Sequence, residues 1–223
     1  MTFADKILKF YKALKIKESL PNRVEVLNPY QDKTAFELCT QFYKKYYDDN
    51  GRRSIIFGIN PGRFGGGLTG VPFTDPVKLE KICGISNGLQ KKTELSADFI
   101  HAMIAAFGGV ESFFSKFYFN SVSPLGFTYE GKNLNYYDTK DLAQSLEKFI
   151  RKSILQQMEF GVNEVVYCLG EGENFKYLQN FNKKEKIFAE IIPLAHPRFI
   201  MQYKRKYVEQ YIADYLKKFA LAK

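Results

Sequence analysis

The chain has 223 residues, 45% of them hydrophobic and 26% charged, which is enough for one α/β domain with a full core and too apolar for extensive disorder. Lys and Arg number 33 against 24 Asp and Glu, a formal charge of +9 that favours a polyanionic partner, nucleic acid first, with solubilising surface charge as the plainer alternative. Cys39, Cys83 and Cys168 are too few for a four-thiolate iron-sulfur cluster, and with only His101 and His196 and no Cys-x-x-Cys pair they offer little to zinc; no metal and no cofactor is expected, and the thiols read as reduced core residues of a cytosolic protein.

Phe3, Ile7, Leu8, Tyr11 and Leu14 recur at helical spacing with lysines mostly on the other faces, which predicts a basic amphipathic helix whose role is packing rather than membrane binding. A Pro-containing connector over 20–29 leads to a helix over 34–47, ended by Asp48-Asp49-Asn50-Gly51, and then to a buried strand over 54–59. Asp75-Pro76 starts a short helix through residue 82, Ser96 caps a helix to residue 107, and 117–122 alternates as a strand containing Asn120. A long helix over 138–160, a strand over 164–169, a short helix over 174–180 and a last strand over 187–194 follow. From Gln202 a terminal helix carries Tyr203, Tyr207, Tyr211, Tyr215 and Phe219 at every fourth residue, a stripe read as core rather than as a base-stacking platform. Strands separated by helices predict a three-layer α/β/α sandwich around a mainly parallel four-stranded sheet, a single domain over 1–223. Residues 1–17 lack the apolar core of a signal peptide and nowhere do 18 apolar residues run together, so a cytoplasmic protein with no membrane partner, and a monomer, is expected.

The segment Phe57-Gly58-Ile59-Asn60-Pro61-Gly62-Arg63-Phe64-Gly65 ends the first buried strand with a polar side chain on a tightly turning backbone. Ligands of open α/β sheets sit at the carboxyl ends of strands. Leu194-Ala195-His196-Pro197-Arg198 has the same grammar, an apolar strand followed by a polar residue beside Pro, so Asn60 and His196 are expected to share one pocket. Gly67 is followed by Leu68, Thr69 and Gly70 rather than Lys-Ser or Lys-Thr, and the glycines miss the G-x-G-x-x-G spacing, which argues against a phosphate loop and a nucleotide-dependent enzyme. A ligand-free Gly-Pro turn stays open on local grounds.

Gly58-Ile59-Asn60-Pro61-Gly62, continuing through Phe64-Gly65 to Thr69-Gly70-Val71-Pro72-Phe73, resembles the first motif of the single-strand-selective monofunctional uracil-DNA glycosylases, and His196-Pro197 resembles the start of their second. Weaker similarity runs through Val26-Leu27-Asn28-Pro29-Tyr30, Asn120 with Ser123-Pro124-Leu125, and Asn133-Leu134. The resemblance implies hydrolysis of the N-glycosidic bond of a damaged, typically deaminated, base in DNA after the base is flipped from the strand, without metal or cofactor. By motif position Asn60 would hold the attacking water and His196, as neutral imidazole, would donate to the departing base. Asn120 would pair with the edge of uracil, Phe73 would stack on the flipped ring, and Ile59 and Gly62 would line the pocket floor. His101 has no motif support and reads as structural.

Where the family continues with Ser-Pro-Arg-Asn-Pro in a loop that wedges into DNA, this chain has Arg198-Phe199-Ile200-Met201-Gln202-Tyr203-Lys204-Arg205-Lys206. Arg198 is the first choice for the wedge, with Phe199 and Ile200 as apolar alternatives. Lys204, Arg205 and Lys206 would meet phosphates, or form a solvated helix start. Arg63, where the relatives carry Pro, and Asp75 are departures near the pocket that would alter which lesion is accepted. They suggest a divergent bacterial branch, with uracil, 5-hydroxymethyluracil, xanthine and hypoxanthine all open as substrates. The competing reading is a nucleic-acid-binding module of the same fold without turnover.

Overall fold

The computed structural model describes residues 1–220. Helix α1 (Phe3–Lys12) starts at a reciprocal cap in which the Thr2 and Asp5 side chains each accept the other's backbone N–H, and it buries Phe3, Ala4, Ile7, Phe10 and Tyr11. Strand β1 (Val24–Leu27) interrupts the connector; a one-turn 3₁₀ segment (Pro29–Gln31) then leads to α2 (Lys33–Tyr47), capped by Asp32. Strand β2 (Ser54–Gly58) is buried along its whole length. Short helices α3 (Gly66–Thr69) and α4 (Pro76–Lys81) precede α5 (Leu95–Phe107) and α6 (Val110–Phe114). Strands β3 (Phe117–Ser121), β4 (Gly126–Tyr129) and β5 (Lys132–Leu134) lead to α7 (Lys140–Met158), β6 (Val165–Leu169), α8 (Glu173–Glu185), β7 (Glu190–Leu194), α9 (Pro197–Tyr203) and α10 (Val208–Phe219).

The central sheet has four parallel strands in the order β3-β2-β6-β7. Pairing is parallel because each connection is a helical crossover, and helices on both faces explain why β2 and β3 are buried throughout. Period-two alternation divides the faces. Tyr118 packs against Phe3 and Tyr47 of α1 and α2, whereas Phe117 and Phe119 pack against Phe113 of α6, with Phe219 of α10 also on Phe117. All three cysteines are free and buried.

Several features depart from the sequence expectation, among them the short helices α3 and α6 and the start of α9 at Pro197 rather than Gln202. A second, antiparallel sheet joins β1-β4-β5; its strands are short and its β4–β5 turn is Glu130-Gly131, with φ of 48° and 72°, the left-handed pair of a tight hairpin. Ser96 does not cap α5. Glu94 stands at that position and Ser96 is buried within the first turn. The tyrosine stripe is not one helix face either, since the chain breaks at Lys204 between α9 and a 3₁₀ turn (Arg205–Tyr207). Tyr215 and Phe219 are core, as expected, while Tyr203 is 66% exposed and Tyr207 is also exposed.

Candidate active site

A cavity of about 350 Å³ opens at the carboxyl ends of the parallel strands, where sheet geometry places ligands. Asn60, two residues past β2, and His196, two residues past β7, both line it, together with Ile59, Gly62 and Phe73.

Asn60 is held by the β5–α7 connection. Its Nδ2 donates to Leu134 O at 3.2 Å, and its Oδ1 accepts the Tyr136 N–H at 3.0 Å. An amide carbonyl has two lone pairs, so Oδ1 keeps one acceptor position. Tyr136 is anchored in turn: its hydroxyl donates to Asn174 Oδ1 at 2.9 Å, and Asn174 Nδ2 donates to Leu169 O at 3.0 Å and Gly58 O at 3.3 Å. One buried Asn at the start of α8 therefore ties the ends of β2 and β6 to the loop that orients Asn60. The Pro61-Gly62 backbone is gripped from two sides, because a Cβ on Gly126 would overlap Pro61 O and one on Gly67 would overlap Gly62 O.

His196 caps α9, and its Nδ1 accepts the Arg198 N–H at 3.2 Å. With Nδ1 so occupied, the neutral ring carries its proton on Nε2. Burial first, and then the Arg198 guanidinium, push its pKa down to about 4, so the imidazole is neutral at pH 7. The segment before it is clamped by α10: Tyr215 Oη donates to Ala195 O at 2.5 Å and Lys218 Nζ to Pro193 O at 3.0 Å.

Phe73 combines a positive φ of 54° with an edge-tilted contact on Phe119, ring centroids 5.3 Å apart. A bulky residue in left-handed backbone costs on the order of 1 kcal/mol and persists only where its surroundings dictate it. Here the packing of Phe73 against Gly58 and Phe119 holds the ring at the cavity wall.

Asn120 stands elsewhere. It is 1% exposed, its Nδ2 donates to Tyr118 Oη at 2.7 Å, its Oδ1 accepts the Ser121 N–H at 2.8 Å, and it does not line the cavity. The cause is strand alternation, which puts Asn120 on the Tyr118 face of β3 while Phe119 and Ser121 approach Phe73 and Gly58 on the other. Ile200 is fully buried and unavailable as a wedge; Arg198 and Phe199 are exposed at the cavity rim. Arg205 and Lys206 are exposed and Lys204 is half-buried, beyond the lining residues. Asp75 is buried and capped into structure: Oδ1 accepts from Val77 N and Lys78 N, Oδ2 accepts from Glu94 N at 3.0 Å, and Lys78 neutralises it at 3.0 Å. Asp75 thus touches the site only through Glu94. His101 is buried against Thr74 Oγ1 at 3.3 Å, and burial lowers its pKa to about 4.

Glu94 went unread in the sequence. Its carboxyl reaches from the start of α5 to the glycine loop, where a Cβ on Gly65 would overlap it, and it lines the cavity. Burial, followed by the neighbouring Asp75 charge, raises its pKa to about 7, with Arg198 and Lys78 opposing. Ser96, Asn133, Asn135, Tyr137 and Tyr203 also line the cavity. The polar run Asn133-Leu134-Asn135-Tyr136-Tyr137 after a Gly turn was the available signal, but nothing local says that it faces β2.

The sequence profile of the uracil DNA glycosylase superfamily matches residues 44–220. The chain belongs to that superfamily. Its structure superposes on the crystal structure of Pedobacter heparinus SMUG2 with a TM-score of 0.97 and 43% sequence identity, covering 100% of this chain and 98% of that one. No curated protein matched the sequence. As in the sequence expectation, the uracil-DNA glycosylase fold has a four-stranded parallel sheet flanked by helices, and superfamily membership supports a glycosylase-type hydrolase acting on DNA. Among the described residues, no helix is long and apolar enough to cross a membrane.

Proposed function

We propose that this protein is a monofunctional DNA glycosylase that extrudes a deaminated base, uracil or a relative, from a DNA strand and hydrolyses its N-glycosidic bond, leaving an abasic site. The observation that carries the reading is the placement of Asn60 and His196, from strands far apart in sequence, on one cavity of about 350 Å³, within the range of small-ligand sites. As the bond breaks, the sugar becomes cationic and the departing base anionic. The Nε2–H of a neutral His196 donates to the base oxygen on which that charge collects, and a preorganised donor of this kind contributes about 3 kcal/mol to the transition state. Water donates to the free lone pair of Asn60 Oδ1 and presents its own lone pair to the sugar. An amide cannot take the proton, so positioning rather than base catalysis is its contribution; the proton released as water bonds to the sugar passes to the departing base anion, which leaves as the neutral base.

Phe73 offers a ring to the face of the extruded base, and Ile59 and Gly62 form the adjoining wall. Arg198 and Phe199 are the rim groups placed to fill the gap left in the strand, and Arg205 and Lys206 are free to meet phosphates. Fluorescein-labelled oligonucleotides, single- and double-stranded, carrying one uracil, 5-hydroxymethyluracil, xanthine or hypoxanthine, incubated with enzyme and then alkali, are expected to break at the lesion. No cleavage of any of the four at enzyme excess would sink the glycosylase reading and leave a DNA-binding module.

A further inference from the structure

Beside the base cavity lies a second hollow of about 420 Å³, and Glu94, Ser96, Asn133 and Arg198 line both. Its remaining wall includes Arg63, Phe64 and Lys132. Phe64 is 41% exposed, an unusual position for an aromatic ring in a chain that buries most of its phenylalanines. Two cations lie over that ring, the Arg63 guanidinium and the Lys92 ammonium, each 4.8 Å from its centroid. Arg63 Nε is shielded from solvent and has no hydrogen-bond partner, so the guanidinium has unused donor capacity.

We propose that this hollow holds the nucleotide next to the extruded one on the same DNA strand, with its base stacked on Phe64 and its phosphate met by Arg63 and Lys132. The inference rests on DNA being the substrate and adds the strand's path across the surface. Continuity with the base cavity is the first argument, since a strand that delivers one nucleotide must carry its neighbour past the shared wall. Chemistry is the second: an exposed aromatic ring flanked by cations is the arrangement that takes single-stranded nucleic acid, the ring accepting any base face and the cations the backbone. The cation contacts on Phe64 do not block this. A cation over a ring that borders solvent is held more weakly than a stacked base, and the displaced Arg63 gains a phosphate in exchange.

The test separates binding from turnover. The probe is a fluorescein-labelled single-stranded oligonucleotide with a central tetrahydrofuran abasic analogue, together with two versions that also lack the base on its 5′ or its 3′ side, titrated by fluorescence anisotropy. Wild-type protein is expected to bind one of the two trimmed strands about tenfold more weakly than the parent. Phe64→Ala should show that same loss on the parent and no further loss on the trimmed strand, while Phe64→Tyr retains binding. Arg63→Ala and Lys132→Ala should each lower the salt dependence of log K by about 0.7. The assignment is overturned if Phe64→Ala binds the parent within twofold of wild type with an unchanged circular dichroism melt, or if it still discriminates both trimmed strands as wild type does. Because no bond is broken in these titrations, they read the groove whether or not any lesion is cut, and the cleavage panel reads the glycosylase activity separately.

Discussion

The two ends of β2 hold polar groups under opposite rules. Before its amino end, Arg53 is 1% exposed and satisfied: its guanidinium donates to Asp49 Oδ1 at 2.6 Å and Oδ2 at 2.7 Å, to Phe114 O at 3.0 Å, to Gly51 O at 2.7 Å and to Tyr46 O at 3.4 Å, and lies 5.0 Å from the ring centroids of both Phe3 and Tyr47. Past its carboxyl end, Asn60 keeps a lone pair, His196 keeps an Nε2–H, and the Glu94 carboxyl lines an open cavity. A buried charge with every donor taken anchors the fold; one of its partners cannot be lost without leaving an uncompensated group. Polar groups left short of partners at a cavity can be completed by a ligand. The same strand therefore carries a sealed end that stabilises and an unfinished end that can react.

The largest effect expected from breaking this contrast is at the sealed end. Asp49→Ala leaves the buried Arg53 guanidinium without its carboxylate and should lower stability by about 3 kcal/mol, roughly 10 °C in Tm, read by thermal and urea unfolding. A melt within 2 °C of wild type would mean that the charge is not the anchor described. The Asp49 carboxyl is held down to about 2 by Arg53, so its contribution is present above the usual carboxylate range and is lost as pH falls toward 2.

At the open end, Asn60→Ala and His196→Ala should each cost about 100-fold in single-turnover cleavage. For His196→Ala the melt should fall by only about 3 °C, the loss of the side-chain cap on α9. Losses below tenfold for both would show that the roles are misassigned. Since the His196 pKa is about 4, cleavage should show no acid limb from His196 near 6.5 and should hold from pH 8 down toward pH 5. The stability sign is separate: the unfolded chain binds the His196 proton at higher pH than the folded one, so stability contributed by this group is lost as pH falls from 6.5 toward 4.

Smaller effects sharpen the boundary between the two ends. Tyr136→Phe removes the donor to Asn174 Oδ1 and leaves that acceptor buried, which should cost about 1 to 2 kcal/mol in unfolding and a severalfold fall in kcat with KM unchanged, through the loosened Asn60. Unchanged kcat would uncouple Tyr136 from Asn60. Smallest is Glu94→Gln. With the Glu94 pKa near 7, wild-type affinity for single-stranded DNA should weaken about threefold from pH 6 to pH 8 as the carboxylate forms. The Gln variant should be level across that range. Its stability should differ in sign as well: the folded protein holds the Glu94 proton to higher pH than the unfolded chain, so wild-type stability falls between the usual carboxylate range and pH 7, and the Gln variant escapes that fall.

How much was legible in the sequence varied with the range of the interaction that decides it. The four parallel strands, the helices between them, and the placement of Asn60 and His196 at strand ends follow from apolar runs, Pro and Gly, which act over a few residues. Element ends drifted, as at 187–194 against Glu190–Leu194, because a strand ends where its neighbour stops pairing rather than where hydrophobicity stops. The sheet β1-β4-β5 leaves no signature in the sequence for a related reason: its strands of three or four residues are too short to show a period.

Local chemistry alone thus determined the fold class, the basic character of the chain and the two polar strand ends, since backbone propensity and burial pattern are written residue by residue. Tertiary structure alone decided that Asn120 turns away from the cavity toward Tyr118, that Ile200 is core, and that Glu94 and the Asn133–Tyr137 run come to the glycine loop. Those outcomes depend on which face of a strand meets which layer and on what crosses the gap between remote segments, and neither is encoded within any one stretch of chain.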